Sequence, residues 1–84
     1  MKITLKLFAT LADYLPTQDK YTHFVDLEVA AGTTIGEVIA QHQLPEKWVH
    51  LVLVNGSYVA PEQRLAYVLQ DGDVLAIWPP IAGG

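Results

Sequence analysis

The chain has 84 residues, 51% of them hydrophobic, a formal net charge of −4 and no cysteine. That length makes one domain burying about 60–65% of its unfolded surface, and the missing cysteine excludes disulfide staples and a thiol-borne acyl or sulfur carrier. Lys2, Lys6, Lys20, Lys47 and Arg64 are scattered, which argues against phosphate-tracking nucleic-acid recognition; no run nears the roughly 18 apolar residues of a membrane helix and no signal peptide is read, so a cytoplasmic protein is expected.

Lys2 to Phe8 alternates polar and apolar, with Ile3, Leu5 and Leu7 on one face, and reads as a half-buried strand. Phe8, Leu11, Ala12 and Leu15 then recur at three- and four-residue steps, the spacing of a short helix ending before Pro16. Thr17 to Thr22 is polar and reads as a loop. His23 to Val29 alternates again, with Val25, Leu27 and Val29 together, and predicts a second strand antiparallel to the first. Ala30 to Thr33 is a turn.

Thr34 to Gln43 is the clearest helix. Thr34 and Glu37 have capping-box spacing, and Ile35, Val38, Ile39 and His42 share a face. Gly36 counts against it by up to about 1 kcal/mol relative to Ala, and Pro45 stops it near Leu44. Val49 to Val54 is apolar at nearly every position, as in a strand covered on both faces or at the sheet interior. Asn55-Gly56 is the favoured two-residue hairpin turn, and Ser57 to Ala60 returns as a short strand before Pro61. Glu62 to Gln70 has no clear period, and Leu65, Val68 and Leu69 are expected to cap the core. Asp71-Gly72-Asp73 is a turn, and Val74 to Trp78 is the last strand, stopped by Pro79, which has no amide to give.

The order β, short α, β, α, β, β, β, tail predicts an α+β fold in two layers. It is the β-grasp pattern: a mixed sheet of four to five strands on one main helix. Residues 1–78 form the domain and residues 79–84 a flexible C-terminal tail.

Little in the domain announces chemistry. His23, His42 and His50 lie in separate elements without a second ligand at metal-binding spacing, so no metal site is expected. Ser57 follows a hairpin turn and has no nucleophile elbow around it. Gly32-Thr33-Thr34 lacks the lysine and glycines of a phosphate loop. Phe8 and Trp78 sit at the ends of two strands expected to be neighbours, where they either close the core edge or face a partner.

The tail is different. At about 7% usage per position, a terminal Gly-Gly arises by chance in roughly one chain in two hundred. Pro79 and Pro80 hold an extended, stiff geometry, and four further residues reach about 13 Å at ~3.3 Å each. Gly83 and Gly84 have no side chains and fit a narrow channel. A terminal carboxylate is an anion at neutral pH and a poor electrophile. Using it requires activation, as in an acyl adenylate, and nothing in this chain reads as an ATP site.

Lys2 to Leu11, Val54-Asn55-Gly56 and Asp71-Gly72-Asp73 through Trp78-Pro79-Pro80-Ile81-Ala82-Gly83-Gly84 together resemble the MoaD/ThiS sulfur-carrier family, in order and over nearly the whole length. The resemblance implies a ubiquitin-like β-grasp fold and a carrier that is not itself an enzyme and binds no cofactor. It implies that a ubiquitin-activating-like adenylyltransferase consumes ATP to adenylate Gly84, and that a sulfur donor, a desulfurase or rhodanese, converts it to a thiocarboxylate. Gly83 is then the spacer, while Pro79, Pro80, Ile81 and Ala82 line the partner's channel. Phe8, Trp78 and Val59 match partner-interface positions. Pro-Pro before the last four residues is similar to the small subunit of molybdopterin synthase, whose large subunit is the implied receiver of the tail. Ile81 to Gly84 also resembles the ending of thiamine-type carriers. A non-catalytic interaction module and a modifier joined to lysines are the alternatives. Ala12-Asp13 stands where family members often carry Arg-Glu.

Overall fold

A computed structural model describes residues 1–16 and 23–80 of the chain. The expected loop Thr17 to Thr22 and the tail residues Ile81, Ala82, Gly83 and Gly84 lie outside the described residues.

The alternating segments and the continuously apolar runs become strands, because successive residues point to opposite faces and at least one face of each is buried. They are β1 (Lys2–Leu7), β2 (Phe24–Glu28), β3 (Leu51–Val54), β4 (Ser57–Tyr58) and β5 (Val74–Trp78). They form one sheet in the order β2-β1-β5-β3-β4. β1 and β5 pair in parallel at the centre, and the other pairs are antiparallel. The sheet carries one main helix, α1 (Ile35–Gln41). Ile3, Leu5 and Leu7 of β1, Val52 and Val54 of β3, and Leu75 and Ile77 of β5 meet Ile35 and Val38 of α1 in a single core. The segment after β1 is a 3₁₀ helix, Ala9–Tyr14, rather than an α-helix; it buries only Leu11.

The α1 N-terminus closes as the sequence expects. The Thr34 hydroxyl accepts from the Glu37 amide at 3.2 Å, and the Glu37 carboxylate accepts from the Thr34 amide at 3.0 Å. The helix ends earlier than Gln43, because Gln43 takes φ 56°, a left-handed conformation that ends the run of helical hydrogen bonds.

Residues 61–70 pack on the start of α1. The Ile35 and Gly36 amides donate to the carbonyls of Tyr67 and Arg64 at 3.1 and 3.0 Å, and Leu69 donates to Thr33 at 2.9 Å. These carbonyls satisfy helix-start amides that have no partner inside the helix. Gly36 permits the approach: a Cβ there would stand 2.5 Å from Leu65 Cδ2 and 3.3 Å from Leu65 Cα. Leu69 caps the core at 1% exposure, but Leu65 and Val68 do not: they are 81% and 43% exposed. The Leu65 side chain lies over Gly36 with its other side open to solvent.

Two turns are tied together. Asn55 and Gly56 have φ 51° and 84°, the pair of positive values a two-residue hairpin needs. The Asn55 side chain donates to Asp73 and accepts from the Val74 amide, both at 2.9 Å. Asp73 also accepts from Gln70, and Asp71 accepts from the Lys2 amide, both at 2.8 Å. The two carboxylates of Asp71-Gly72-Asp73 thus hold the start of β5 to β1 and to the β3–β4 turn.

Candidate functional site

The base of the tail is built by the sheet's central strand. Trp78 is the last residue of β5, opposite Leu51 of β3. Its carbonyl accepts from His50 at 3.0 Å, and the Ile77 carbonyl accepts from Phe8 at 3.2 Å. Strands on both sides therefore hold the last two residues of β5. Pro79 is buried and Pro80 exposed. A buried proline directly after a doubly held strand end fixes the direction in which the chain leaves.

Phe8 and Trp78 are brought together as expected. Their rings stack with centroids 4.2 Å apart and an interplanar angle of 1°. His23 leans on Phe8 at 5.1 Å and meets Phe24 edge-on at 5.9 Å. Both stacked residues are half-buried, so the pair closes the sheet's end and still presents aromatic surface.

Register extends this patch across the face opposite α1. Phe24, Lys6, Ala76, Leu53 and Tyr58 lie in one cross-sheet row. Phe8, Trp78 and Leu51 form the next row toward the tail. On the other side lies the polar row of Asp26, Thr4 and Val74, in which Thr4 donates to Asp26 at 2.9 Å. The face thus becomes more apolar toward the end from which the tail departs. Phe24 and Tyr58 are 47% and 59% exposed. Sequence reasoning missed these two; for Phe24 the signal was an aromatic residue on the side of its strand that also carries Asp26 and Glu28.

Val59 is a correction. It does not face a partner: at 4% exposure it belongs to the core, and its amide donates to Val52 at 3.0 Å. The pairing of Leu53 with Tyr58 puts Tyr58 on the outer face, and successive strand residues point to opposite sides. Tyr58, not Val59, is the outward residue of the hairpin.

The three histidines make separate contacts: His23 with Phe8 and Phe24, and His50 with Trp78 through its amide. His42 ends α1 with Nδ1 2.9 Å from the Val38 carbonyl. Among the described residues no group of three His, Asp or Glu side chains is placed to hold a metal ion, and no helix is long and apolar enough to cross a membrane.

Comparison with known proteins agrees with this fold. The model of the ThiS family matches residues 5–84. Small archaeal modifier protein 3 of Haloferax volcanii is 29% identical, with all of each chain covered. The crystal structure of SAMP1 from the same organism superposes with a TM-score of 0.68 at 26% identity, covering 100% of both chains. A chain in the complex of subunits 1 and 2 of the molybdopterin-converting factor of Helicobacter pylori has a TM-score of 0.62 at 21% identity, again over 100% of both. At that identity the last likeness speaks for the ubiquitin-like β-grasp fold alone.

Proposed function

The chain belongs to the ThiS family, and from that premise we propose that it is a sulfur carrier whose reactive group is the carboxylate of Gly84, serving molybdopterin biosynthesis. A ubiquitin-activating-like enzyme transfers AMP from ATP to that carboxylate and releases pyrophosphate. The terminal sulfur of the donor's persulfide then displaces AMP at the carbonyl carbon, and a thiol reductant attacks the S–S bond of the resulting acyl disulfide, releasing the thiocarboxylate and leaving a disulfide on the donor. Catalytic groups belong to the partners; this chain contributes a docking face and a stiff, narrow arm.

The observation that carries the reading is the Phe8–Trp78 stack at the root of Pro79-Pro80. A reactive carbonyl on a short arm needs its origin fixed against the partner, since small misplacements cost large factors in rate. The stack and the flanking strand bonds supply that fixed origin, and Gly83 and Gly84 supply passage through a channel. Phe8 and Trp78 are proposed to contact the large subunit of molybdopterin synthase, with Pro79, Pro80, Ile81 and Ala82 lining the path into it.

Intact-mass analysis of the chain co-expressed with the adenylating enzyme and a sulfur donor tests this. The expected result is one oxygen-to-sulfur exchange, mapped by fragmentation to Gly84. An unchanged mass with active partners present counts against the proposal.

A second reading is favoured by the likeness to small archaeal modifier protein 3: the same activated Gly84 is joined to lysines of other proteins. Proteolytic peptides bearing a Gly-Gly remnant on lysine, dependent on this chain, would select it.

A further inference from the structure

Arg64 is the only arginine of the chain and is buried at 8% exposure. Its Nε donates to the Val59 carbonyl at 3.3 Å, Nη1 to Val49 at 3.4 Å and Nη2 to His50 at 3.1 Å. A guanidinium has five N–H groups; each terminal nitrogen keeps one beyond these three bonds. Among the described residues no carboxylate lies within 4.0 Å of it. Buried cations are ordinarily paired with an anion; among the described residues this one bonds to three backbone carbonyls instead.

The guanidinium-bearing side chain forms part of the wall of a cavity of about 590 Å³, on the opposite side of the molecule from the aromatic face. The rest of the wall is mostly hydrocarbon, from Ile39, Ala40, Leu44, Val49 and Leu65, with the exposed Glu46 as its single acidic member. The volume falls in the range of small-molecule sites.

We propose that the cavity binds a small free aliphatic carboxylate, with the acid on the spare N–H groups of Arg64 and a short branched hydrocarbon against Ile39, Leu44 and Val49. This site is separate from the tail chemistry and does not depend on it. It is linked to the tail's root through one residue, however: His50 accepts from Arg64 with its carbonyl and donates to Trp78 with its amide.

The test is titration of the full chain with 4-methylpentanoate, followed by amide chemical shifts. Saturable shifts are expected at Gly36, Leu44, Val49 and Leu65. The uncharged 4-methylpentanamide should bind about tenfold more weakly or worse, as expected for loss of a charge-assisted hydrogen bond. Ala40→Phe, at an exposed helix position, should block binding without touching Arg64, and Arg64→Met should abolish it. Glu46→Gln should tighten binding by removing a repelling charge. Equal affinity for acid and amide, or shifts indifferent to Ala40→Phe, would overturn the proposal. Tighter binding of a peptide ending in leucine than of the free acid would overturn the assigned ligand and point to a polypeptide terminus.

Discussion

Asn55 and Asp73 are bonded side chain to side chain at 2.9 Å, and this contact joins the β3–β4 turn to the turn that launches β5. Asp73 is 8% exposed and also accepts from the Gln70 amide. Asp73→Ala strands two donors at once, so it should cost about 2–3 kcal/mol in denaturant unfolding. Asn55→Ala should cost a similar amount, because the Val74 amide loses its acceptor. A double variant should fall short of the sum by about 0.5–3 kcal/mol, the signature of residues in one network.

Gly36 is expected to reverse the usual helix preference. Alanine gains up to about 1 kcal/mol in a helix interior, but here its methyl would press on Leu65 Cα at 3.3 Å. Gly36→Ala should therefore destabilise, by about 1 kcal/mol net, since overpacking commonly costs about 1–3 kcal/mol. Leu65→Ala alone should be nearly silent, because the side chain is 81% exposed. Combined with Gly36→Ala it should recover part of the loss, leaving the backbone contact.

Val59 and Phe8 should separate stability from docking. Val59→Ala opens the core and should cost about 1.5–3 kcal/mol in thermal or chemical unfolding, with unchanged affinity for the proposed partner once folded. Phe8→Ala removes a stacked ring worth about 0.5–1.5 kcal/mol beyond its buried area. On the proposed function it should weaken partner binding about tenfold or more, as loss of an aromatic anchor does. Calorimetric titration with the purified partner gives both readings.

Deleting Gly83 and Gly84 should leave the unfolding midpoint unchanged, since the described core and sheet end at Trp78. The truncated chain should still bind the partner through the aromatic face but accept no sulfur. A truncated chain that still delivers sulfur would refute the assignment to Gly84.

The sequence made much of this legible because one face of each strand must be buried, and alternation records which. Ile3, Leu5 and Leu7, the second strand's pairing and the Thr34–Glu37 cap all follow from short-range pattern. What it hid was long-range. Alternation in β5 cannot say that it lies parallel to β1, and nothing near Arg64 reveals that its side chain reaches back to Val49 and His50. Gly36 looked like a flaw in a helix because its reason, the backbone at Leu65, lies about thirty residues away in the chain. Val59 was misassigned because a two-residue strand is too short to display its own period; only its pairing with β3 fixes the side.

The order β2-β1-β5-β3-β4 has a further consequence for how such a chain is made. Without β5, the β1–β2 and β3–β4 ribbons do not touch along their edges, and each keeps an unpaired margin open to aggregation or proteolysis. The last strand is the keystone. A product interrupted before Val74 would offer degradation machinery two loose ribbons, so the architecture serves as its own inspection step: the segment that precedes the arm is the one that locks the two halves together.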